Sequence, residues 1–185
     1  MTGASDRASG VPKGRVPLTI DEILELDAAL VQAFRTIAAL RQSYRAAKHI
    51  KFPPLPAIFS ESLVIAAAHR IFGAEWSARY GGTECDVLIE SVAGVIKRVE
   101  VKATAQHGFQ EFKAKDLRAD TLVWVRFGGR FQQGSGPIEV TLLNEPGRVI
   151  DRACRLDVSR FEKRLGGDAD VTTLRFSTLE ELLDA

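Results

Sequence analysis

The sequence predicts an α/β domain: a mixed central β-sheet flanked by helices, with a long helix on its N-terminal side. Three observations predict it. A strong helix start, "LTIDEI", opens the ordered chain. Apolar runs with strand alternation, "DVLIE", "VIKRVEVKA", "TLVWVRF" and "IEVTLL", follow one another at short spacing. Helical patterns lie before, between and after these runs, so the elements alternate instead of segregating into blocks.

Residues 1–17 carry Gly, Ser, Ala and Pro without periodicity and are expected to form a flexible arm, leaving 18–185 as a single domain. In "LTIDEI" Thr19 is the N-cap, Glu22 completes a capping box, and Leu18 with Ile23 forms a hydrophobic staple. Acids at its start and bases at its end suit one helix running to about His49, which "KFPPLP" must break. A second helix is expected from about Ala57 or Ser60 to Phe72, closed by Gly73, with Glu61 in line with a core stripe.

Strands are then expected near Glu75–Tyr80, Glu84–Ile89 and Val95–Ala103, the last two joined by the short turn "ESVAG" as an antiparallel hairpin. "FQEFKAKDL" reads as an amphipathic helix and "DTLVWVRF" as a buried strand bounded by glycines. A Gly-, Gln- and Ser-rich loop precedes a strand at Ile138–Leu143. "DVSRFEKRL" reads as a helix, "VTTLRF" as a strand and "STLEELLDA" as a capped terminal helix.

The chain is 45% hydrophobic and 26% charged, ordinary for a globular protein of 185 residues. Cys85 and Cys154 lack zinc-site spacing. No apolar run approaches the length of a bilayer span and the N-terminus lacks the apolar core of a secretion signal, so a reducing cytoplasmic setting is expected. A net charge of +1 gives no overall argument for nucleic acid. Charge is nevertheless uneven: from Ala28 to Lys51 there is no acid, whereas Arg41, Arg45 and Lys48 gather near the end of the long helix. They complement the helix dipole or form a basic surface toward DNA phosphates.

The chemistry concentrates in "YGGTECDVLIESVAGVIKRVEVKAT". Alternation puts Glu100 and Lys102 on one side of their strand, with Asp86 on the partner strand able to reach the same side. Two converging carboxylates suit Mg²⁺, with Mn²⁺ as a substitute, because a hard cation accepts one or two carboxylates plus water and phosphate oxygens. Lys102 is then placed to hold a water nucleophile and offset charge in phosphodiester hydrolysis. A solvent-facing hairpin with cross-strand charge pairs is the plainer account. An acid-x-Lys triplet occurs twice, at Glu100–Lys102 and Glu111–Lys113, and the second falls in the expected amphipathic helix.

On these residues the sequence resembles the PD-(D/E)xK nuclease superfamily, with its restriction-endonuclease-like fold. The resemblance covers Glu61 to Phe127: an acid on a helix, "GGTECDVLIE", "VEVKA", then a helix and a buried strand. It departs where Cys85 precedes Asp86 in place of proline. It implies Asp86 and Glu100 as metal ligands, Lys102 as the catalytic lysine and Glu61 as an accessory acid. The activity implied is Mg²⁺-dependent cleavage of double-stranded DNA, first as a type II restriction endonuclease acting as a homodimer, the long first helix at the subunit boundary. A structure-specific repair or junction-resolving nuclease, and a non-catalytic DNA-binding module, are the alternatives. Further DNA contacts are expected from Gln106 and His107 after the lysine strand, and from Arg130, Gln132 and Gln133 in "GGRFQQGSG", whose side chains can read base edges.

Overall fold

A computed structural model describes residues 15–106, 109–150, 152–165 and 167–184. Helix α1, Ile20–Ser43, begins with the expected capping box: Thr19 Oγ1 accepts from the Glu22 N–H (3.3 Å) and Glu22 Oε2 from the Thr19 N–H (2.8 Å). Its stripe of Ile23, Asp27, Leu30 and Phe34 is buried within the chain itself. The helix stops short of His49. Tyr44 is extended and Arg45–His49 form a separate 3₁₀ turn. Past Phe34 the apolar spacing no longer meets a partner, since Leu40 is 37% and Tyr44 61% exposed. The chain instead turns back to stack Phe52 on Phe34, ring centroids 5.0 Å apart. Arg41, Arg45 and Lys48 therefore do not share one helical face.

The second expected helix is present as α2, Ala57–Ala66, and α3, Ala68–Phe72, offset at Ala67 and closed by Gly73 at φ 108°. Strands β1 (Trp76–Tyr80), β2 (Val87–Ser91) and β3 (Ile96–Thr104) form an antiparallel meander with the expected hairpin between β2 and β3.

"FQEFKAKDL" is not a helix. Phe109–Phe112 is strand β4, and Asp116–Arg118 a 3₁₀ turn. Phe112, fully buried, sets its ring edge-on to Trp124 at 5.7 Å. The strand finds its hydrogen-bond partner in β7, Cys154–Asp157, far along the chain and not anticipated.

Strand β5 (Thr121–Arg126) runs parallel to β3, and β6 (Ile138–Asn144) and β8 (Val171–Phe176) add antiparallel neighbours. The central sheet has the order β1-β2-β3-β5-β6-β8 and is mostly antiparallel. Short helix α4 (Arg130–Gln133) interrupts the segment expected as a loop, and α5 (Pro146–Val149) lies in a stretch given no assignment from sequence. Helices α6 (Val158–Leu165) and α7 (Leu179–Leu183) lie where expected, the latter capped by Thr178.

Alternation along β3 and β5 divides the interior in two. Val99, Val101, Val123 and Val125 join α1, α2 and α7 in the larger core, whereas Leu122 and Trp124 join Phe112 and Phe161 in a smaller one. Glu100 and Lys102 stand in register with Leu122 and Trp124, on the side of the smaller core. Among the described residues no helix is long and apolar enough to cross a membrane.

Candidate active site

The β2–β3 ladder ends at the Val87–Val99 pair, so one residue further Asp86 comes opposite Glu100. Asp86 precedes β2 instead of lying within it, where an aspartate is better tolerated. At this point Val101 has lost its ladder partner on the β2 side, and Asp86 Oδ2 accepts its N–H at 2.9 Å. The carboxylate ends the ladder and is fixed by it. The preceding turn is equally constrained: a Cβ on Gly81 would lie 2.3 Å from Cys85 Sγ and 2.5 Å from the Cys85 carbonyl. Cys85, buried where the resemblance has proline, fills that space, and burial pushes its thiol pKa up.

Glu100 is 4% exposed, and its Oε2 accepts no hydrogen bond. Lys102 Nζ is 3.5 Å and Lys115 Nζ 3.6 Å from that oxygen. Burial, and then the charge of Asp86, push the Glu100 carboxyl above its ordinary range, against the opposing pull of the two lysines. Lys102 has a second anchor in Asp116, which is fully buried: Nζ sits 3.0 Å from Oδ1, while Oδ2 accepts the Lys113 N–H at 2.7 Å. The lysine is thus held between two carboxylates.

Glu61 completes the group from the other face of the sheet. It is 6% exposed on α2, and Arg15 Nη1 lies 2.7 Å from its Oε2. Burial raises its pKa, Arg15 lowers it, and Asp86 and Glu100 raise it again. Arg15 also lies over the Tyr80 ring at 5.1 Å, and Tyr80 shares a hydrogen bond of 3.0 Å with Ser62. Two openings flank the acids. One, of about 330 Å³, is bounded by Arg15, Glu61, Tyr80 and Asp86; the other, of about 290 Å³, by the Gly82–Asp86 turn, Glu100 and Lys115.

All four residues singled out in the sequence, Glu61, Asp86, Glu100 and Lys102, are brought together. Arg15, Lys115 and Asp116 join them without having been anticipated. Among the described residues no group of three or more His, Cys, Asp or Glu side chains is arranged as a cage for a metal ion.

The expected DNA contacts are scattered. Arg45 and Lys48 are exposed, while Arg41 is half-buried over the Phe52 ring. Arg130 is ion-paired with Asp27 at 2.5 Å, its side chain 11% exposed, which takes it away from base edges. Gln132 and Gln133 are exposed on α4, Gln106 is half-buried just past β3, and His107 lies outside the described residues. No family model, curated protein or solved structure matches the chain.

Proposed function

We propose that the chain is a Mg²⁺-dependent DNA endonuclease with a restriction-endonuclease-like fold. The observation that carries this reading is the meeting of Asp86, buried Glu100 and Lys102 at the open end of the β2–β3 ladder, with Glu61 in electrostatic reach. A buried carboxylate oxygen that accepts no hydrogen bond, beside a second carboxylate and offset only by two ammoniums at 3.5 and 3.6 Å, is a costly arrangement. It fits a hard cation, which takes one or two carboxylates and fills the rest of its shell with water and phosphate oxygens. Asp86 and Glu100 would hold Mg²⁺ or Mn²⁺, which would supply charge neutralisation at the phosphoryl and leaving oxygens.

The remaining steps belong to the chain's own side chains. Lys102, held by Asp116 from behind, orients the attacking water and offsets charge as the phosphoryl group is attacked. Lys115, with a 62% exposed side chain next to Glu100, faces the path of an approaching phosphodiester. Glu61 adds an accessory acid on the far side of Asp86. One feature departs from the resemblance: β4 and a 3₁₀ turn occupy the crossover between Lys102 and β5, where the family pattern has a helix.

The first form of this reading is a type II enzyme that cuts both strands as a homodimer. Two observations favour the second, a structure-specific nuclease. The apolar stripe of α1 is used inside the chain instead of at a subunit boundary, and Arg130 is tied to Asp27. Nicking of supercoiled plasmid in Mg²⁺, abolished by Asp86→Ala and Glu100→Ala, tests the activity. Retained nicking in either variant sinks the assignment. Sequencing the ends of digested genomic DNA then separates the two forms.

A further inference from the structure

A groove of about 390 Å³ lies at the end of β3, where β2 no longer covers the strand's edge. It is lined by residues 103–106, by residues 52–55, and by Phe109 and Gln110 at the start of β4. Residues 103–106 directly follow Lys102, so the groove reaches at most about 14 Å from it along the chain. The Thr104 carbonyl accepts the Phe127 N–H at 2.9 Å on the β5 side. Alternation therefore turns the backbone of Ala103, like that of Val101, to the uncovered edge. None of the described lining residues is acidic. Two of its rings carry a guanidinium: Arg155 lies over Phe109 at 4.8 Å and Arg41 over Phe52 at 5.1 Å. Neither arginine is ion-paired among the described residues, although Glu111 stands opposite Arg155 in register. Phe52 is also stacked on Phe34, whereas Phe109 is 50% exposed. Arg45, Lys48 and Lys51, exposed and likewise without ion pairs among the described residues, lead into residues 52–55.

We infer that this groove holds an unpaired DNA strand and leads it to Lys102, an inference that takes its destination from the proposed nuclease site. An exposed ring backed by a guanidinium is a stacking platform, and every nucleobase has a π-face to offer it. The bases of a duplex are already stacked on one another, so Phe109 has nothing to receive from them. The cations at Arg45, Lys48 and Lys51 answer the phosphates of the same strand before it enters the groove. The volume is at the small end of ligand sites, about 300–1,000 Å³, which suits one nucleotide unit at a time. An extended peptide added to the open edge of β3 would leave the ring and the cations without a partner. The structure-specific form of the nuclease reading thereby gains a substrate, a strand already unpaired as at a fork or flap.

Fluorescence anisotropy with the full chain in EDTA, where no cleavage intervenes, tests it with three probes: an oligothymidylate, a blunt duplex of the same length, and an oligoglutamate of matching charge. The single strand should bind about tenfold tighter than either of the others. Phe109→Leu keeps apolar bulk but loses the π-face, and should weaken single-strand binding about tenfold, the scale of one lost stacking contact. Phe109→Trp should bind at least as tightly as the parent chain. Lys48→Gln should flatten the salt dependence by about one phosphate contact. A single strand bound no tighter than the duplex or the oligoglutamate, or an affinity indifferent to Phe109→Leu, would overturn the proposal. Strand preference without any Mg²⁺-dependent cleavage would uphold the groove and sink the nuclease reading, and cleavage without strand preference would do the reverse.

Discussion

Two acid–base groupings sit two residues apart on β3 and behave in opposite ways. At Arg98, Asp120 accepts the backbone N–H at 2.7 Å and the guanidinium at 3.2 Å through each oxygen. These bonds hold the Asp120 carboxyl below its ordinary range. At Glu100 the carboxyl is pushed up, by burial and by Asp86, although two lysines lie near. The first grouping is exposed and electrostatically satisfied. The second is buried, set beside a like charge, and keeps an oxygen that accepts no hydrogen bond and is met only by two lysines at 3.5 and 3.6 Å. A strand that needed only solubility would repeat the first arrangement. The second is the arrangement on which the proposed activity rests, since perturbed carboxylates gathered beside a cleft are candidates for a reactive site.

The sharpest way to break the contrast is Glu100→Gln, which keeps shape and removes charge. Mg²⁺-dependent plasmid cleavage should fall by about 10³-fold or more, since charge stabilisation at the phosphoryl group is lost. Thermal stability at neutral pH should hold or rise, because a crowded buried charge has been removed. Cleavage that survives would show that the reaction does not need the charge, and a protein that unfolds would show the charge to be structural.

Next in size is Asp116→Asn. The fully buried Asp116 carboxylate grips Lys102 Nζ and the Lys113 N–H, so it positions the lysine without facing the reacting atoms. The expectation is a 10- to 100-fold loss in kcat with KM little changed, and a loss of roughly 1–3 kcal/mol in chemical denaturation. A purely structural role would show the stability loss with normal kcat in the remaining folded protein.

Asp120→Asn should have no effect on cleavage and only a small one on the fold, because both partners of the pair are largely exposed. Its signature is the pH dependence. A carboxyl lowered in the folded state contributes stability that is present above its unfolded pKa and lost as pH falls through its folded one. The melting-temperature gap between the parent chain and Asp120→Asn should therefore be open at neutral pH and close below the ordinary aspartate range. A gap that stays constant on acidification would mean that Arg98 does not act through the charge.

What the sequence made legible was what is local. The capping box at Thr19, the turn between β2 and β3, and the alternation that sets Glu100 beside Lys102 all operate within a few residues. Asp86 could be brought to the same side as Glu100 and Lys102 because a short turn joins their strands, while its place directly opposite Glu100 needed the register. Three features were hidden because their partners are distant. β4 read as a helix, since nothing in "FQEFKAKDL" reveals β7 as its neighbour. Lys115 and Asp116 were thereby assigned to a solvated face, although they hold Glu100 and Lys102. Arg15 lay in a segment whose composition suggested only flexibility, and its tie to Glu61 is visible only in three dimensions. The C-terminal part of α1 failed for a different reason. Dipole and charge pattern favoured continuation, but without buried side chains past Phe34 the packing that sustains a helix was missing.

The smallest expected effect separates the two acid-x-Lys triplets. Glu100 and Lys102 stand on a central strand with one carboxylate buried, whereas Glu111 and Lys113, at the end of β4, are both exposed. What Lys113 contributes to the site is its backbone N–H to Asp116, which alanine retains. Lys113→Ala should consequently leave cleavage within about twofold, and at most reduce the salt dependence of DNA binding by one phosphate contact. Lys102→Ala should lose most turnover while DNA binding persists. Measuring both turnover and the salt slope of binding for each variant puts the contrast to a direct test. If Lys113→Ala proved the more damaging, the chemistry would belong to the β4 side of the molecule, and the open end of the β2–β3 ladder would be only a charged edge.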